Sequence, residues 1–72
     1  MKDFLGNELK VGDSVVAVEL AYRNLLKCTV VALTSQKVRL RPIGTREDSR
    51  DPNYGTFLQL PTQIVLSPRP WN

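Results

Sequence analysis

The sequence contains no histidine, one cysteine (Cys28) and one tryptophan (Trp71) in 72 residues. Without histidine, the commonest general base and the commonest metal ligand are both missing, and a serine or cysteine nucleophile has no imidazole to activate it. A single cysteine forms no internal disulfide, and nothing points to an oxidising compartment. The longest stretch free of charge and proline, residues 28–36, is about half of what a membrane-spanning helix needs. Residues 1–6 lack the apolar core and small-residue cleavage site of a signal peptide, so a cytoplasmic location is expected. No glycine-rich phosphate cradle is present. Glu47, Asp48 and Asp51 lack the spacing of a calcium loop and read as a solvated surface loop. These absences argue against an enzyme, and no metal, cofactor, small-molecule substrate or membrane is expected.

What is present is the composition of one small globular domain, with 42% hydrophobic and 24% charged residues. A chain this short closes a single core and leaves little surface for a deep pocket. The net charge of +3 is unevenly spread. Residues 1–20 carry −2 and residues 47–72 carry −1, whereas residues 21–46 carry six cations and no acid. A basic segment of this kind neutralises phosphates and steers polyanions; equally, it solvates an exposed face.

The periodicity is that of strands. Ser14-Val15-Val16-Ala17-Val18-Glu19-Leu20 is a β-branched run after the turn at Gly12-Asp13, and Asn24 interrupts the next stretch. Lys27-Cys28-Thr29-Val30-Val31-Ala32-Leu33 reads as a second strand, Thr34-Ser35-Gln36 as a hairpin loop, and Lys37-Val38-Arg39-Leu40-Arg41 as an alternating third strand ended by Pro42. Residues 44–55 form a polar, turn-rich loop, Thr56-Phe57-Leu58-Gln59-Leu60 a fourth strand and Ile64-Val65-Leu66 a fifth. The best helical candidate, residues 20–26, is too short to stand alone. Five short antiparallel strands suggest a small barrel over residues 1–66, with a proline-rich tail over residues 67–72. The expected core is Leu5, Leu9, Val15, Ala17, Val30, Leu33, Val38, Leu40, Phe57, Leu60, Ile64 and Leu66. A slip of one residue in the first strand would exchange Val15 and Ala17 for Val16 and Val18, and the sequence leaves both registers open.

If Val38 and Leu40 face the core, Lys37, Arg39 and Arg41 line the other face at intervals of about 7 Å. With Val30 inward on the neighbouring strand, Lys27 and Thr29 flank that face. Tyr22 and Arg23 lie in the preceding loop, and Arg46 lies beyond the third strand. An aromatic beside arginines suits single-stranded nucleic acid, the ring to stack and the cations to meet phosphates. Arginine, tyrosine and tryptophan are equally the anchors of protein interfaces. In the tail, Arg69 and Trp71 are candidate contacts. Pro68-Arg69-Pro70-Trp71 is open to two readings, a polyproline-type ligand or a fold-back in which Trp71 covers the end of the barrel; the cost of exposing a tryptophan favours the second.

The opening Asp3-x-x-Gly6-x-x-Leu9-x-x-Gly12-Asp13-x-Val15, with Tyr22-Arg23-x-Leu25 and then Val30-x-x-Leu33 after it, resembles small SH3-like barrel proteins of bacteriophages. That family commonly reads D-x-x-G-x-x-I-x-x-G-D-x-V, then a Y-R-x-L-type loop. The likeness covers roughly residues 3–40, with Cys28 where the family usually has glycine. More distantly, the G-D-x-V element is similar to the start of a KOW-type strand. The resemblance implies an all-β, five-stranded antiparallel SH3-like barrel, a phage-encoded protein, and a ligand-binding role for the loop holding Tyr22 and Arg23. Gly6 and Gly12 are expected to take backbone angles closed to other residues, and Asp13 to bond its own turn.

The expected function is a non-enzymatic binding module that uses Tyr22, Arg23, Lys27, Lys37, Arg39, Arg41 and Arg46 to contact nucleic acid. The alternative is a phage accessory protein that docks on an acidic host protein of the transcription or defence machinery and modulates it. A third reading is a structural subunit that self-associates through barrel edges.

Overall fold

The computed structural model describes residues 1–19, 24–46, 50–51 and 53–71. The protein is all-β. Strands β1 (Ser14–Glu19), β2 (Asn24–Leu33), β3 (Val38–Pro42), β4 (Phe57–Gln59) and β5 (Ile64–Leu66) form one antiparallel sheet in the order β4-β3-β2-β1-β5, with a 3₁₀ turn over Pro61–Gln63 leading into β5. Among the described residues no helix is long and apolar enough to cross a membrane.

Alternation along each strand builds the core. Val15 and Ala17 of β1, Cys28 and Val30 of β2, Val38 and Leu40 of β3, Ile64 of β5 and Leu9 are buried, with Met1, Leu26, Phe57 and Leu66 packed against them. The register sets these side chains opposite one another, Val15 to Cys28, Ala17 to Ile64 and Val30 to Leu40, so each cross-strand pair removes two apolar groups from water together. The open question in β1 is thereby decided: Val15 and Ala17 face inward.

Three residues expected in the core are exposed: Leu5, Leu33 and Leu60. Leu5 sits in a turn whose amide is held by the Asp3 carboxylate, 3.0 Å away, and this turn aims the side chain outward. Leu33 comes closest to its expected place. The pairing between β2 and β3 shifts by one residue between Val30 and Ala32, so a bulge at Val31 returns Leu33 to the side of its partner Val38. As the last residue of β2, however, it projects beyond the core. In β4 the inward residues are Phe57 and Gln59, which leaves Leu58 and Leu60 outside. Several boundaries also differ from expectation. β2 begins at Asn24, because Asn24 and Leu25 extend the ladder opposite Glu19 and Val18; β3 starts at Val38, with Lys37 left in the hairpin, and Pro42 is its last residue rather than its terminator; and β4 is confined to Phe57–Gln59.

Two buried polar side chains close the ends of the sheet. The Gln59 Nε2 donates to the Val18 carbonyl, and the Gln59 Oε1 accepts from the Leu60 amide at 2.9 Å. β4 and β1 are three places apart in the sheet, roughly 14 Å if it were flat. A glutamine side chain cannot span that distance, so the sheet curls until β4 approaches β1. Asp3 completes the outer edge of β5. Its Oδ2 accepts from the Leu66 amide at 2.6 Å and from Asn7 Nδ2 at 3.3 Å, and its Oδ1 accepts from the Leu5 and Asn7 amides at 3.0 and 2.7 Å. The Phe4 amide adds a bond to the Ile64 carbonyl at 2.8 Å. These contacts cover main-chain groups that an open edge would offer to another chain. Burial pushes the Asp3 carboxyl up, but the bonds from Leu66, Asn7 and Leu5 outweigh it and hold the group below its ordinary value. Gly6 and Gly12 take φ of +87° and +97°, as the turns around them require. Asp13 bonds its own turn, its Oδ2 accepting from the Lys10 amide at 2.8 Å.

Candidate functional site

The sheet side opposite the core carries the candidate cations. Because Val38 and Leu40 are buried, Arg39 and Arg41 emerge on the outer side, and Lys37 is exposed just ahead of them. The register adds neighbours in rows. Ser14, Thr29 and Arg41 lie side by side across β1, β2 and β3; Val16 and Lys27 form the next row; Ala32, Arg39 and Leu58 form a third toward β4.

Each cation is set differently. Lys37 closes the hairpin: its amide donates to Thr34 Oγ1 at 2.9 Å, and the same hydroxyl and the Thr34 amide both donate to the Lys37 carbonyl. Its ammonium is left to solvent at the tip. Arg39 is half-buried, and its Nη1 donates to Thr56 Oγ1 at 2.9 Å, while that hydroxyl donates to the Asn53 carbonyl at 2.6 Å. The loop before β4 therefore fixes the direction of the guanidinium. Arg41 is half-buried, and Arg46 is exposed beyond the strand. Tyr22 and Arg23 lie outside the described residues.

The tail folds back, as the cost of an exposed tryptophan suggested, but onto the outer face of β1 and β2 rather than over the end of a barrel. The Trp71 amide donates to Ser14 Oγ at 3.1 Å, and its indole Nε1 donates to two carbonyls at once, Val15 at 3.1 Å and Cys28 at 2.9 Å. Lys27 Nζ stands 5.3 Å from the ring centroid, a cation–π distance. Trp71 thus lies on the same outer side as the cations, over β1 and β2, and engages Lys27. Arg69 is exposed in the middle of the segment, its amide held by Ser67 Oγ at 3.2 Å.

The face also carries aliphatic side chains that the charge pattern did not bring out. Leu58 lies directly opposite Arg39, Leu25 is 73% exposed two residues before Lys27, and Ile43 is 51% exposed two residues after Arg41. One signal was available for Leu25: in Asn24-Leu25-Leu26, a strand can turn only one of two consecutive leucines inward. Among the described residues no three His, Cys, Asp or Glu side chains are grouped so as to hold a metal ion.

A family model described as a domain of unknown function, DUF7205, matches residues 1–66. No curated protein and no solved structure matches the chain.

Proposed function

The chain belongs to the DUF7205 family, and from that premise we propose that it is a small non-enzymatic binding module which holds nucleic acid through the outer face of β3. The observation that carries the reading is the alternation of that strand. Val38 and Leu40 are buried, while Arg39 and Arg41 emerge together on the other side, about 7 Å apart, behind an exposed Lys37. Cations in such a row suit successive phosphates of one backbone. Thr56 already orients the Arg39 guanidinium, which lowers the ordering cost of a phosphate contact. Trp71, the aromatic seated on this face, has its N–H tied to main chain and Lys27 over its ring. This favours contact with the backbone over stacking on bases, and so binding with little sequence preference.

The same proposal includes the fold and the origin of the chain: an SH3-like barrel encoded by a bacteriophage and acting in the host cytoplasm. The curling of the five-stranded sheet, bridged by Gln59 between β4 and β1, supports a barrel. The phage resemblance draws support from the places of its motif residues: Asp3 buried and hydrogen-bonded, Gly6 and Gly12 in left-handed turns, and Leu9 and Val15 in the core.

A second reading is favoured by a specific observation. Leu25, Ile43 and Leu58 are exposed among the cations, and aliphatic surface of that kind serves a protein partner but not a phosphate. That partner is an acidic host protein. Anisotropy of labelled single- and double-stranded DNA and RNA at two salt concentrations separates the two. Steeply salt-dependent binding supports nucleic acid, whereas absence of binding at low salt turns the assignment to a protein.

A further inference from the structure

Residues 67–71 leave β5 and cross the outer side of β1 and β2, held at both ends. Ser67 donates its amide to the Ser14 carbonyl at 2.8 Å, and Trp71 makes its three hydrogen bonds to Ser14, Val15 and Cys28. Between these ends Pro68, Arg69 and Pro70 are exposed, and the segment arches over a groove of about 270 Å³ beside Gly12, Asp13 and Ser14. A segment that belonged to the core would be packed along its length. This one is fastened at two points.

The family boundary adds a second observation. Ser14, Val15, Lys27 and Cys28, which receive the segment, all lie within residues 1–66, while the segment itself lies outside them. The receiving place therefore lies within the matched residues, and the occupant follows them. Its chemistry is specific. Carbonyls of two paired residues converge on one donor, a hydroxyl stands ready for one main-chain amide, and an ammonium stands over the ring. An indole on an extended chain meets all of these, because its single N–H points outward from a flat apolar body.

We infer that the outer side of β1 and β2 is a docking site for a short extended protein segment anchored by an indole, filled here in cis by residues 67–71 and open to such a segment from another polypeptide once the cis copy is withdrawn. This goes beyond the anion-binding face of β3 and does not depend on it. The tether gives the cis segment an effective concentration in the millimolar range, so a free segment competes poorly with it in the unaltered chain.

The test uses the full chain carrying Trp71→Ala and a fluorescein-labelled peptide of residues 66–72. The expected result is saturable binding to the variant, at least tenfold tighter than to the unaltered chain. The peptide's tryptophan, then the only one present, shifts its emission to shorter wavelength. A peptide with alanine in place of the tryptophan does not bind, and the full-chain variant Trp71→Phe, which keeps a ring but loses the N–H, captures the peptide more weakly than Trp71→Ala. Failure of the folded Trp71→Ala chain to bind at millimolar peptide overturns the inference, as does equal binding by the altered and unaltered chains. A Trp71→Ala chain that does not fold overturns it too, because the segment would then be part of the fold.

Discussion

Replacing Asp3 by alanine tests the account of the sheet edge most severely. Its carboxylate accepts four hydrogen bonds, from the Leu5, Asn7 and Leu66 amides and from Asn7 Nδ2. The amides of Leu5 and Asn7 lie in an exposed turn and can bond water instead. The Leu66 amide points away from β1 toward a carboxylate that is 5% exposed, and it is stranded when the acceptor goes. A stranded buried donor costs about 1–3 kcal/mol, and loss of the turn's fixed shape adds to that, so Asp3→Ala should lose about 3 kcal/mol. For a domain of this length total stability is on the order of 4–11 kcal/mol, and Tm should fall by roughly 12–24 °C. Asp3→Asn should lose about 2 kcal/mol, because its amide nitrogen meets two donors where an oxygen stood. The pH dependence has a definite sign. A carboxyl held below its ordinary value of 3.8 contributes stability that is complete above that value and is lost as pH falls through the lower folded value. Urea titrations of the three proteins at neutral pH and near pH 3 measure both effects. The gap between wild type and Asp3→Asn should narrow in acid, leaving a smaller sensitivity from Glu8. Its carboxyl is lowered by the hydrogen bond and charge of the Met1 ammonium at 2.8 Å. An Asp3→Ala protein within about 0.5 kcal/mol of wild type would refute the reasoning.

Two further predictions concern closure and turns. Gln59→Ala removes the bridge to the Val18 carbonyl and the acceptor of the Leu60 amide, and should cost about 2–3 kcal/mol by urea titration; a neutral effect would mean that β4 stays near β1 without it. Gly12→Val puts a β-branched residue at φ +97° with open space around it, so backbone strain alone should lower stability by about 1–3 kcal/mol in a thermal melt; unchanged stability would show that the turn relaxes.

Legibility in the sequence depends on the reach of each signal. The strands, the inward residues of β3 and β5, and Val30 of β2 were legible because alternation is local: Val38 and Leu40 need only their own neighbours to declare a face. The inward turn of Gln59 was not, since the carbonyl that makes burial of an amide tolerable belongs to Val18, 41 residues away. Leu60 was therefore placed in the core by its apolarity alone. Leu5 failed for a related reason. Asp3 spends its carboxylate on the local turn and on the distant Leu66 amide, and the second of these is invisible along the chain. At the candidate site, Arg39 and Arg41 could be placed from the alternation of β3. The tie from Arg39 to Thr56, and the arrival of Trp71 over Lys27, come from segments that fold onto the strands and leave no periodic trace.

The central claim is phosphate contact through the outer face of β3, and its direct measurement is a salt titration of binding to a labelled nucleic acid, with and without the double reversal Arg39→Glu and Arg41→Glu. If Lys37, Arg39 and Arg41 neutralise three phosphates, raising monovalent salt fourfold should weaken binding to duplex DNA about 40-fold. The double reversal should abolish binding and leave the circular dichroism of a folded sheet, with Tm modestly lowered because both side chains are half-buried and Arg39 loses its bond to Thr56. No binding at low salt by folded protein at tens of micromolar, or binding that survives the reversal, would contradict the account.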